Sequence, residues 1–102
     1  MSLPVVPGSP LPKDAVLVEL RADRLSFSTR ECLLPGTMLA FDLIMEGRPL
    51  PLAVTTSACL IIAKDRKGLV YHTQIRLDQI SEGDRQLITL FISKGRGAAE
   101  LA

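Results

Sequence analysis

The sequence predicts an all-β domain with one helix: a small antiparallel β-barrel followed by a C-terminal α-helix. Three observations carry this. Between Ala15 and Leu77 the apolar residues recur mostly with period two, as half-buried strands require. Turn residues at Pro35-Gly36, Glu46-Gly47-Arg48-Pro49 and Lys64-Asp65-Arg66-Lys67-Gly68 cut that stretch into short pieces, the spacing of a small barrel. After Ser81 the apolar period changes to three and four residues, which is helical.

The elements follow in order. Residues 1–12 hold four of the seven prolines, which lack the N–H a ladder needs, so this segment reads as a flexible leader. The first strand lies in Ala15–Arg21, with Val16, Val18 and Leu20 on its apolar parity. Leu25, Phe27 and Thr29 share one face of the second, opposite Ser26 and Ser28. Leu39, Phe41, Leu43 and Met45 form the inner face of the third, and Glu46–Pro49 reads as a hairpin loop. Leu50–Ala63 is the longest strand, with Leu52, Val54, Thr56, Ala58, Leu60 and Ile62 on one parity and a bend expected at Ser57-Ala58. Pro51 marks an edge position. Leu69, Tyr71, Ile75 and Leu77 give the inner face of the next strand, opposite Val70, His72, Gln74 and Arg76.

Ser81 reads as a helix N-cap, with Glu82 and Asp84 meeting the unpaired N–H groups of the first turn. Leu87, Ile88, Phe91 and Ile92 continue the helix to a Lys94-Gly95 close. The plan is five or six antiparallel strands and one helix within residues 13–94, with residues 95–102 a flexible tail.

Composition narrows the function. A chain of 102 residues is one domain, and 47% apolar with 23% charged residues is a globular balance. A net charge of +1 offers no basic field for nucleic acid, and 4% aromatics without Trp offer no stacking platform for bases. No apolar run approaches the ~20 residues of a membrane helix, so no membrane insertion is expected. Cys32 and Cys59 stand far apart, fit no zinc-ligand spacing, and read as reduced thiols that fill space in a cytoplasmic protein. His72, the one histidine, lies on the polar parity of its strand. No motif accompanies these residues that would make a nucleophile or a metal loop. The expectation is therefore no enzyme, no metal and no cofactor.

Leu25-Ser26, then Leu33-Leu34-Pro35-Gly36-Thr37, then Tyr71-His72-Thr73-Gln74-Ile75-Arg76-Leu77 and Ile80–Ile88 follow one another in an order and spacing that resembles the PilZ domain, a bacterial receptor module for cyclic di-GMP. The resemblance spans roughly residues 15–94. It implies a six-stranded antiparallel barrel with a C-terminal helix, and a regulatory role in motility, pili or surface polysaccharide.

Members of that family carry an Arg-x-x-x-Arg segment before the barrel and an Asp/Asn-x-Ser-x-x-Gly motif on early strands. Guanidinium forks hold phosphate or guanine edges bidentately, and the glycine lets ligand approach the backbone. In this chain only Ser26 matches the second motif. Arg24 occupies the acceptor position, Thr29 the glycine position, and no arginine precedes Arg21. A donor-only guanidinium facing guanine's donors predicts that cyclic di-GMP does not bind. The expected role is a protein-interaction module within that signalling. The alternative is a true cyclic di-GMP receptor with a rearranged or truncated arginine site, its ligand residues being Arg21, Arg24, Ser26 and Arg30. The plain reading of those arginines is solvated charge balanced by Glu19, Asp23 and Glu31.

The helix carries Leu87, Ile88, Leu90, Phe91 and Ile92, more apolar surface than one narrow stripe. Leu87, Leu90, Phe91 and Ile92 are the expected contact face for another protein or a second copy; the alternative is that all five are internal core.

Overall fold

The computed structural model describes residues 8–95 and 99–102. Six strands form one antiparallel sheet rolled into a nearly closed barrel: β1 (Val16–Leu20), β2 (Arg24–Thr29), β3 (Met38–Met45), β4 (Arg48–Asp65), β5 (Gly68–Arg76) and β6 (Ala99–Leu101). Their lateral order is β1-β2-β5-β4-β3-β6, and the two end strands approach each other at the seam. A single 3₁₀ turn, Leu77–Gln79, leads into helix α1, Glu82–Ser93.

The 18-residue β4 belongs to two halves of the barrel. Arg48 to Thr55 pair with β3, and Thr56 to Asp65 pair with β5. The change of partner is pinned by side chains. The Gln79 amide takes the place of a neighbouring strand at Thr55, accepting from its N–H at 2.7 Å and donating to its carbonyl at 3.0 Å. Thr56, 3% exposed, donates its hydroxyl to the Leu34 carbonyl (2.8 Å) and accepts from the Thr37 N–H (3.1 Å). Its polar groups thus enter the interior satisfied.

Pro49 and Pro51 share the parity of Thr55, whose N–H points away from β3. Their missing N–H groups therefore fall on the free edge of β4, as expected for Pro51, and blunt that edge against further pairing. The β3–β4 hairpin closes on Glu46-Gly47, with φ of 53° and 77°, the left-handed pair of a type I′ turn.

The core gathers Leu25 and Phe27 of β2, Leu39, Phe41 and Leu43 of β3, Leu52 and Val54 of β4, Ile75 of β5, Leu77, Leu33 and the helix residue Ile88. The inner faces expected for β2 and β3 are the ones observed; in β5 the expected face holds at Ile75 and Leu77, whereas Leu69 and Tyr71 are half-buried like Val70 and His72 opposite them. Two expected faces are corrected. In β1 a bulge between Leu17 and Glu19 lets Leu17 and Leu20 both pack on the core, while Val16 and Val18 stand 61% and 52% exposed. In β4 a bulge between Thr56 and Ala58, at the expected bend, resets the alternation. Leu60 and Ile62, expected inside with Leu52 and Val54, are 56% and 52% exposed, and Ile61 is 62% exposed. The first inserted residue exchanges the faces as far as Ile61, a second shift between Ile61 and Ala63 exchanges them again, and both faces of residues 60–62 lie open.

The expected boundaries also move. Within the leader 1–12, Ser9 makes a parallel bridge to Leu39, with backbone bonds of 2.9 Å to Met38 and Ala40, and Leu11 packs on the core. Within the tail 95–102, Ala99–Leu101 form β6 against β3, Leu101 packs on the core, and Ala102 exchanges two 2.9 Å backbone bonds with Asp42. Residues 1–7 and 96–98 of those segments lie outside the described residues.

Helix α1 starts as expected. The Ser81 hydroxyl accepts from the Asp84 N–H at 3.2 Å, with Glu82 and Asp84 in the first turn. Gly95, at φ 62°, follows the Lys94 C-cap. Ile88 alone of the helix is fully buried.

Candidate functional site

The arginines singled out in the sequence do not form one cluster. Arg21 and Arg24 face the tight β1–β2 turn, where the Arg21 N–H donates to the Arg24 carbonyl at 2.8 Å. Both guanidiniums converge on Glu19 Oε1, at 3.1 and 3.2 Å. The Arg21 hydrogen bond, with support from Arg24, holds the Glu19 carboxyl below the usual carboxylate range. Ser26 is 2% exposed and lies opposite Gln74 of β5. Arg30 sits past the far end of β2, ~20 Å from Arg24 at strand rise. There its two terminal nitrogens donate to Asp65 at 2.7 and 2.5 Å, and its backbone N–H donates to Asp14 at 2.8 Å. Arg30 is committed to holding the β4–β5 turn against the end of β2. It is not available to a ligand held at Arg24.

A different set of arginines meets instead. The Leu77 N–H donates to the Asp23 carbonyl at 2.9 Å, which brings the end of β5 to the β1–β2 turn. Beside this junction an open cleft of about 590 Å³ is lined by Asp23, Arg24, Ser57, Gln74, Arg76 and Arg85, among others. Arg76 donates to Asp78 at 2.8 Å, and Arg24 to Glu19 at 3.2 Å. Among the described residues Arg85, in the first turn of α1, forms no ion pair. Three guanidiniums against the carboxylates of Asp23 and Asp78 leave the lining net positive. Such a lining suits an anion that also offers hydrogen-bond donors. Arg76 and Arg85 had no signal in the sequence: one lies on the polar parity of a strand, the other among the polar residues of a helix, and only the topology joins them.

The helix face is on view. Leu87 is 51% and Leu90 58% exposed, Ile92 is also exposed, and Phe91 is half-buried. Leu87, Leu90 and Phe91 form one wall of a groove of about 540 Å³. Met45, Arg48, Pro49 and Leu50 of the β3–β4 hairpin form the other wall.

His72, on the polar parity of its strand, is half-buried. It pairs with Ser28 and Leu60, and its Nε2 is shielded without a partner. Cys59 pairs with Thr73, the next residue, so Cys59 and His72 occupy opposite faces of the sheet and do not form a nucleophile–base pair. Among the described residues no three His, Cys, Asp or Glu side chains gather as metal ligands, and no helix is long and apolar enough to cross a membrane. Comparison with known protein families, with curated proteins and with solved structures finds no match to this chain.

Proposed function

We propose that this chain is a regulatory barrel of the PilZ type that works in the cytoplasm through protein contacts, within cyclic di-GMP-linked signalling and without catalysis. The observation that carries the reading is the α1 surface: Leu87, Leu90 and Ile92 exposed on a short helix that buries only Ile88 fully. Exposed apolar side chains grouped on one helix and rimming a groove are the usual form of a protein-docking surface. The sequence resemblance supplies the signalling setting. The ion pairs of Arg30 with Asp65, and of Arg21 and Arg24 with Glu19, support the non-binding form, because Arg30 is paired with its own carboxylate and Arg21 and Arg24 share that of Glu19.

Two measurements test it. Calorimetric titration with cyclic di-GMP is expected to show no binding at micromolar concentration; micromolar binding overturns the non-binding reading. Leu90→Lys and Ile92→Lys are expected to leave the unfolding transition in place while abolishing contact with the partner protein or a second copy. Unfolding by both would return these side chains to the core and remove the basis of the proposal.

The cleft of Arg24, Arg76 and Arg85 favours a second reading, a receptor for a phosphate-bearing nucleotide through a rearranged site. On that reading Arg24→Ala and Arg85→Ala each weaken binding at least tenfold, a loss of about 1.4 kcal/mol, and Arg30→Ala does not.

A further inference from the structure

Helix α1 leaves one stripe uncovered. Gly83, Leu87, Leu90 and Lys94 follow one another at helical spacing, so they line a single face. All four are exposed. Leu87, Leu90 and Lys94, with Phe91, form the helix wall of the groove whose other wall is the β3–β4 hairpin. The isolated chain does not account for the glycine. A Cβ at Gly83 would meet nothing within 4 Å, and its backbone is not left-handed. It costs helix stability and returns no close contact. The two ends of the stripe carry opposite charge. Asp84 stands in the first turn beside Gly83, and Lys94 is the C-cap. Among the described residues neither enters an ion pair.

We infer that this face binds a second copy of the chain, α1 against α1, antiparallel about a two-fold axis that passes over the groove. The inference rests on the protein-docking reading of the same face and names its occupant. The stripe is its own complement. With the axis midway between Leu87 and Leu90, Leu87 of one copy lies opposite Leu90 of the other, and Gly83 opposite Lys94. Gly83 and Lys94 are ~16 Å apart along either helix, so both ends of the stripe meet their counterparts at once. The missing side chain of Gly83 gives the Lys94 stem a place to lie, and its ammonium then reaches the adjoining Asp84 carboxylate. Symmetry makes each contact twice. The leucines of the second helix cover Phe91, Met45, Pro49 and Leu50, which line the groove. Charge disfavours the other apolar surface of a second copy as occupant. The tip of the β4–β5 arm carries Lys64, Arg66 and Lys67, which would meet Arg48 and Lys94 of the groove, while its Asp65 is already held by Arg30.

The test is sedimentation equilibrium of the whole chain, from dilute solution to millimolar. The mass is expected to rise from one chain to two and to stop there, because a two-fold contact uses the same face on both copies. Leu90→Lys is expected to keep the chain monomeric throughout. Gly83→Gln and Lys94→Glu, both changes at exposed positions, are each expected to weaken the dimer about tenfold or more. Adding Asp84→Lys to Lys94→Glu exchanges the charges of the pair and is expected to recover most of that loss. A chain that stays monomeric at millimolar concentration or assembles beyond two overturns the inference. So does a dimer that any of the three single changes leaves intact, or that the charge exchange does not recover. Where Leu90→Lys folds poorly, the charge exchange decides. The docking reading has its own failure, the unfolding of the chain by both Leu90→Lys and Ile92→Lys, so the two outcomes are told apart.

Discussion

The two halves of β4 have nearly the same sequence character and opposite fates. Leu52 and Val54, before the bulge, are 4% and 3% exposed; Leu60, Ile61 and Ile62, after it, are all more than half exposed. Both halves alternate or run apolar, and both pair along their length with a neighbour, the second with two interruptions. The difference is what lies across the barrel. The first half faces β2, the other residues of β3 and Ile88 in one cluster, whereas the second half extends with β5 into a hairpin whose tip, 64–67, is exposed. Hydrophobicity along a strand specifies pairing. Burial also requires an opposing layer, and the hairpin arm has none.

Deletions give the sharpest contrast. Removing Ala53 sets Leu52 and Val54 out of phase and is expected to abolish the cooperative unfolding transition. Removing Ser57, the extra residue of the bulge, leaves Thr56 opposite Ile75 and Ala58 opposite Gln74, as in the intact ladder. That variant is expected to retain its strand circular dichroism and a single transition. If both deletions unfold the chain, the bulge is needed for curvature and not merely tolerated.

Truncations come next. Leu52→Ala is expected to cost about 2–5 kcal/mol in denaturant unfolding, and Leu60→Ala less than about 0.5 kcal/mol. A comparable cost for both would mean that the arm is covered in solution. At the junction, Thr56→Val keeps the shape and removes one hydrogen bond each from the Leu34 carbonyl and the Thr37 N–H, which remain bonded to each other. A loss of about 0.5–1.5 kcal/mol is expected.

The smallest effect concerns pH. The Arg30 guanidinium, aided by the Lys67 N–H, holds the Asp65 carboxyl down from its ordinary 3.8 to about 2. A carboxylate whose folded value is depressed stabilises the fold above its unfolded value and loses that contribution as pH falls through the folded one. The acid limb of stability between about pH 4 and about 2 is therefore expected to be flatter in Asp65→Asn. The pair is largely exposed, so the change is modest and fades with added salt. An unchanged acid limb would show that the arm turn is not held to β2 in solution.

Much of this fold was legible in the residues. Leu25-Phe27-Thr29 and Leu39-Phe41-Leu43 announce their inner faces because alternation is the direct imprint of the pleat, and Ser81 announces the helix because a cap is a local hydrogen bond. The bulges at Val18, Ser57 and Ile62 were not, although the bend at Ser57-Ala58 was expected. An inserted residue leaves no mark except a later mismatch of faces, and Val16, Val18 and Leu60 carried the wrong inference with good alternation. The strand β6 was missed because Ala99-Glu100-Leu101 is too short to show a period and forms on the edge that β3 offers. Of the candidate site, the exposed helix face was legible as surplus apolar surface. The charged cleft was not, since Arg24, Arg76 and Arg85 belong to three elements that only the β1–β2 turn and the start of α1 draw together.

Because β4 serves both halves of the barrel, it also bears on how the chain reaches its fold. The connections β3–β4 and β4–β5 are two-residue turns, so three strands can assemble as a meander with little loop-closure entropy. The β1–β2 hairpin is equally local. Joining the two requires β2 to find β5 across residues 30–67, the longest closure in the topology except for β6 returning to β3. Two locally formed pieces and late, costly dockings are the pattern of a slow β-rich folder. Until docking occurs, the outer edge of β5 lies unpaired beside an arm of Leu60, Ile61 and Ile62. The interval before β2 arrives is thus the moment of greatest exposure to aggregation.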